Sequence, residues 1–174
     1  MGGTIGADSE EGKGSTFWFE MPLPLGKVPA VDLAGSPAEG LRPAEGLRAL
    51  VAEDNQVNQM IAKKMLERLG FRVELVANGI EALAALRERP FDLVFMDCQM
   101  PEMDGFEATK LLRAPGHPQC KIPVIAMTAN AMKGDRERCL DVGMNDYIPK
   151  PMNAKTLGAL VERWAAETHR RRAA

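Results

Sequence analysis

The chain has 174 residues, 45% of them hydrophobic, with 22 basic against 24 acidic side chains and a formal charge of -2. This supplies enough apolar material for a core and excludes a nucleic-acid binder that works by neutralising phosphates. No apolar run reaches bilayer length and no signal-peptide pattern opens the chain, so no direct membrane contact and a cytoplasmic location are expected.

Residues 1–24 are glycine-rich and then abruptly apolar at Phe17, Trp18 and Phe19. Residues 25–46 hold Pro29, Pro37 and Pro43 among four glycines, with the hexamer Pro-Ala-Glu-Gly-Leu-Arg at 37–42 and again at 43–48. Two copies cannot build a solenoid, so 25–46 reads as a flexible linker. From Leu47 the pattern changes to short apolar runs alternating with amphipathic segments. Leu47–Ala52 predicts a strand ending at Glu53 and Asp54. Val57, Ile61, Met65 and Leu69 predict a helix packed along that stripe, closed by Gly70. Phe71–Ala77 is a second strand, and Asn78 with Glu81 predicts a capped helix that places Leu83 and Leu86 inward. Phe91–Met96 is nearly all apolar, as befits a strand covered on both faces. Asp104 with Glu107 opens a third helix, Ile122–Met127 a fourth strand, Ala131–Val142 a fourth helix and Met144–Ile148 a fifth strand. Asn153 caps a last helix with Leu157, Leu160, Val161 and Trp164 on one side. Five strands alternating with five helices predict an α/β fold: a doubly wound parallel sheet with right-handed crossovers.

In such sheets, sites form at the carboxyl ends of the strands. Those ends carry Glu53 and Asp54, Asp97, Thr128 and, after the fifth strand, Lys150. Three neighbouring carboxylates repel one another unless a cation lies among them, and oxygen-only ligands at a shallow site favour Mg²⁺. A carboxylate can act as nucleophile toward phosphorus, and phosphoryl transfer asks mostly for positioning and charge stabilisation. The expected roles are Asp97 as acceptor and Asp54, Asp97 and (through water) Glu53 on the metal. Lys150 and the Thr128 hydroxyl would each hold a phosphoryl oxygen. Any one such residue at a strand end is ordinary; all five at successive ends are not. Cys98, Cys120 and Cys139 fit neither a disulfide framework nor a zinc site, and read as packed thiols in a reducing setting.

Four motifs now stand in order: Val51-Ala52-Glu53-Asp54-Asn55, Met96-Asp97-Cys98-Gln99-Met100-Pro101-Glu102-Met103-Asp104-Gly105, Met127-Thr128-Ala129-Asn130 and Asp146-Tyr147-Ile148-Pro149-Lys150-Pro151. Residues 47–168 with these motifs resemble the receiver domains of two-component response regulators. The resemblance implies a flavodoxin-like sheet of order 2-1-3-4-5 and phosphoryl transfer from a phosphohistidine donor to Asp97. It also implies a metal contact from the Gln99 backbone carbonyl, a cis bond before Pro151, and an aromatic switch at Tyr147 answering Thr128. Ile5 to Phe19 resembles the final glycine box and last strand of a histidine-kinase ATP-binding domain, without that family's earlier nucleotide motifs. The chain is therefore expected to be the C-terminal piece of a hybrid sensor histidine kinase, with residues 169–174 as a tail. It would act as phosphoacceptor and not itself bind ATP, the donor being its own kinase core or a histidine phosphotransfer protein. Two rivals share the fold class. An aspartyl phosphatase would carry an acid where Gln99 stands, and a flavodoxin-like cofactor binder would need a Ser/Thr/Gly loop where Glu53-Asp54-Asn55-Gln56 stands.

Overall fold

A computed structural model describes residues 2–22, 43–129 and 133–173. The expected linker lies outside the described residues up to Arg42, as does the expected helix start at Ala131. Two units are present, each described by itself. In the first, β1 (Thr4–Glu10) and β2 (Gly14–Glu20) form an antiparallel hairpin. Its turn places Gly12 and Gly14 at φ +83° and +96°, conformations glycine adopts without a Cβ penalty. Trp18 lies across Gly6, where a Cβ would come within 2.3 Å of the indole. Ile5, Phe17 and Phe19 share the opposite face and are exposed.

The second unit is a parallel sheet of β3 (Arg48–Ala52), β4 (Arg72–Val76), β5 (Leu93–Asp97), β6 (Val124–Thr128) and β7 (Asp146–Pro149). Its order, β4-β3-β5-β6-β7, is the expected 2-1-3-4-5 when strands are counted within the unit. Five helices intervene: α1 (Gln56–Arg68), α2 (Gly79–Glu88), α3 (Gly105–Arg113), α4 (Lys133–Asp141) and α5 (Ala154–Ala173). Because side chains alternate along a strand, β5 sends Leu93 and Phe95 to one core and Val94 and Met96 to the other. Residues of α1 and α5 close the first core, and residues of α2, α3 and α4 the second. Asn78 and Asp104 cap their helices as expected. The Glu81 carboxylate answers from the far side, accepting from the N–H of Ala77 at 2.8 Å.

Three expectations are corrected. The α1 stripe is not the buried one: Val57 is 66% and Ile61 47% exposed, while Ala62 and Leu66 are buried. Positions four apart drift about 40° per step on a helix of 3.6 residues per turn. A stripe that meets the sheet at Met65 and Leu69 has therefore left it by Val57. The tail is also absent through Ala173, because α5 continues. Arg172 grips Asp92 with two hydrogen bonds of 2.8 and 2.6 Å, and His169 Nε2 lies 3.3 Å from the Pro43 carbonyl.

Finally, residues 43–46 form a turn on the α/β unit. Ala44 is fully buried, and its N–H donates to the Leu69 carbonyl at 3.1 Å. A protein beginning at Pro43 retains this turn. One beginning at Leu47 loses the buried Ala44 methyl and the turn's hydrogen bonds with Leu69, Leu47, His169 and Arg172, and should be less stable by about 2–4 kcal/mol. Equal urea midpoints for the two would refute that boundary.

Candidate functional site

Glu53 follows β3 and is 2% exposed, whereas Asp54 beside it is open to solvent. Asp97 ends the central strand β5 at 5% exposure, and Thr128 ends β6, equally buried. Lys150 follows β7, its backbone N–H bonded to the Thr128 carbonyl at 2.7 Å. The Lys150–Pro151 bond is cis, as the resemblance implied.

The Lys150 ammonium lies 2.6 Å from Asp97 Oδ2 and 2.6 Å from Glu53 Oε2. The other Asp97 oxygen accepts the Gln99 N–H at 3.2 Å. Oxygens of Glu53, Asp54 and Asp97 all lie within 4.8 Å of one another, close enough to hold a metal ion. Burial pushes the Asp97 carboxyl above the ordinary carboxylate range, although Lys150 and the Gln99 N–H pull the other way. Burial also works against the Lys150 charge, but hydrogen bonds to Asp97 and Glu53 outweigh it and hold the ammonium above its usual value. Three carboxylates facing one ammonium leave the cluster two charges negative. That deficit, at the carboxyl edge of the sheet, suits a divalent cation with oxygen ligands.

Two side chains that sequence reasoning passed over orient this set. Asn58 Nδ2 donates to Glu53 Oε1 at 2.9 Å, and Gln59 Nε2 donates to the Glu53 carbonyl at 2.6 Å. Both lie in the first turn of α1, which Asn55 caps by accepting from the N–H groups of Val57 and Asn58. The readable signal was polar residues just after a strand-end acid. Gly105 is the other omission. A Cβ there would sit 2.1 Å from the Asp97 carbonyl oxygen, so α3 starts against the backbone of Asp97.

The Tyr147 ring is part-buried, packed on the α2–α3–α4 core, with the Arg136 guanidinium 5.9 Å from its centroid. A groove lined by Asp146, Tyr147, Thr156, Leu160 and Arg163 runs between β7 and α5, away from the acidic cluster. His117 is buried in the loop after α3 and His169 lies in α5, so neither joins the site.

Sheet and cluster together define a doubly wound α/β module with an acidic, lysine-bridged carboxyl edge. Residues 49–162 match the model of the response regulator receiver domain. Hybrid signal transduction histidine kinase K of Dictyostelium discoideum is 37% identical over 170 residues, covering 93% of this chain and 14% of that protein. The receiver domain of a sensor histidine kinase from Pseudomonas aeruginosa PAO1 was solved with magnesium in its active-site cleft. It is 45% identical with a TM-score of 0.63, covering 70% of this chain and 98% of that one. A Saccharomyces cerevisiae receiver domain crystallised with its histidine phosphotransfer protein is 31% identical with a TM-score of 0.63, at 69% and 89% coverage. The chain belongs to the response regulator receiver domain family. It spans about a seventh of the length of the Dictyostelium relative. Among the described residues no helix is long and apolar enough to cross a membrane.

Proposed function

We propose that this receiver accepts a phosphoryl group on Asp97 from a phosphohistidine, within a hybrid sensor histidine kinase working in the cytoplasm. The carrying observation is the placement of Asp97: at the end of the central strand, buried, with Lys150 at 2.6 Å and two further acids beside it. An Asp97 oxygen attacks phosphorus, the new P–O bond forms as the P–N bond breaks, and the electron pair leaves on the imidazole nitrogen. Mg²⁺, held by Asp54, Asp97 and the Gln99 carbonyl with Glu53 through water, would supply charge neutralisation at the phosphoryl oxygens. Lys150 then exchanges its carboxylate partners for a phosphoryl oxygen, and Thr128 donates to another. The donor is the parent protein's own kinase core or a histidine phosphotransfer protein. Residues 1–24 are assigned to the end of the kinase ATP-binding domain, a reading supported by the exposed apolar face of the hairpin.

Treatment with a small phosphodonor such as acetyl phosphate in Mg²⁺ should add one phosphoryl group by intact mass, and chelation with EDTA should abolish it. Labelling that persists in EDTA would refute the metal-dependent site.

The readout proposed is Thr128 with Tyr147, on the face of α4, β7 and α5. Movement of Thr128 toward the phosphoryl group vacates space for the ring. Thr128→Ala should still accept phosphoryl, while NMR shifts around Tyr147 on beryllofluoride binding shrink several-fold. A full wild-type response in that variant would place the output elsewhere.

A further inference from the structure

The β5–α3 loop and α4 are joined by a contact that phosphoryl transfer does not use. Cys98, directly after Asp97, and Cys139 in α4 bring their sulfur atoms to 3.8 Å across 41 positions of sequence. They are 6% and 1% exposed and lie in the same apolar cluster. The backbone holds both ends in register. The Cys98 N–H donates to the Met127 carbonyl and its carbonyl accepts from Gly105, while the Cys139 carbonyl accepts from Met144. A disulfide needs its sulfurs about 2.05 Å apart, so the two atoms, now in van der Waals contact, must approach by roughly 1.75 Å to bond. Cys120, the third thiol, is more exposed and supplies an internal control.

We propose that Cys98 and Cys139 form an oxidisable dithiol whose disulfide ties α4 to the loop directly after the phosphoacceptor. The oxidant class is a hydroperoxide. One sulfur, giving up its proton, attacks the terminal oxygen, the O–O bond breaks, and the remainder takes that proton and leaves as water or an alcohol. The second sulfur, giving up its proton in turn, attacks the resulting sulfenic acid, the S–S bond forms, and the S–O bond breaks as the departing hydroxide takes that proton and leaves as water. Two thiols are oxidised and one hydroperoxide is reduced. In a reducing compartment such a bond is transient, which suits a sensor and not a structural staple. The consequence for signalling, resting on the readout proposed above, is that the bridge restrains α4 beside Tyr147. An oxidised receiver would accept phosphoryl but answer weakly at that ring.

The test oxidises the full chain with hydrogen peroxide, alkylates under denaturing conditions and maps the peptides. The expected result is a Cys98–Cys139 peptide lighter by two hydrogens, Cys120 alkylated, and reversal by dithiothreitol. Cys139→Ala should yield no bridged peptide. Three alkylated thiols, or bridges that involve Cys120 equally, would overturn the site. A second arm reads the Tyr147 response to beryllofluoride in oxidised and reduced protein, with oxidised Cys139→Ala as control. A several-fold smaller response only in oxidised wild type supports the restraint, and equal responses overturn it. Because the bridge is read without phosphorylation, its absence leaves the acceptor reading standing. A formed bridge with no labelling at Asp97 faults that reading alone.

Discussion

Asp97→Asn should take up no phosphoryl group under conditions that label the wild type to completion. An amide oxygen is a poor nucleophile, and neither neighbouring acid can take its place. Glu53, bonded to Asn58 and Lys150, follows the neighbouring strand β3 and not the central strand that Asp97 ends. Asp54 is solvent-exposed, and Lys150 pairs with Glu53 and Asp97. The same substitution should change how the protein responds to magnesium. With three carboxylates against one ammonium the site attracts a dication; with two the net charge is halved. A ligand at a hundred times its Kd stabilises the fold by about 2.7 kcal/mol, and each tenfold loss of affinity removes about 1.4 kcal/mol. The rise in Tm on adding Mg²⁺ should therefore shrink in the variant while its metal-free Tm stays at or above wild type, since a buried carboxylate has been neutralised. Intact mass and two thermal melts check this. Equal labelling of wild type and variant would remove Asp97 from the acceptor role.

Gly105→Ala should be the most damaging single methyl addition near the site. Gly105 begins α3, and its conformation is one any residue adopts; what it lacks is room. A Cβ would stand 2.1 Å from the Asp97 carbonyl oxygen and 2.8 Å from Met96 Cγ. The methionine can yield, but the carbonyl is backbone at the end of the central strand. Overpacking of this kind costs about 1–3 kcal/mol, and a backbone obstacle puts the expected loss at the upper end, roughly 10 °C in Tm. Phosphorylation should suffer as well, because a displacement of about 1 Å at a reacting group can cost about a hundredfold in rate. Gly158→Ala is the control: it lies within α5 with open space where its Cβ would go, so it should gain about 0.5–1 kcal/mol. A Gly105→Ala protein with wild-type Tm and labelling rate would show that α3 shifts freely and does not brace Asp97.

Much of the fold was legible because its signals are local. Alternating apolar runs placed five strands, and Asn78 and Asp104 announced helix starts through side chains that bond N–H groups three residues on. The acids and the lysine could be placed at strand ends before any geometry was known, because a parallel sheet puts all its carboxyl ends on one edge. What those side chains do to one another was not legible. That Lys150 bridges Glu53 and Asp97, that Asn58 turns Glu53 toward it, and that Gly105 leaves space for the Asp97 backbone are relations between elements. The α1 stripe misled for the same reason: periodicity shows that a helix has an apolar side, not where the sheet ends beneath it. Ala44, small and set in a Pro-Gly repeat, carried no mark of burial, and nothing in the spacing of Cys98 and Cys139 suggested touching sulfurs. Propensity, capping and period act over a few residues and are written in the chain. Contacts across tens of residues depend on how twisted strands and packed helices come together, and only the tertiary structure decides them.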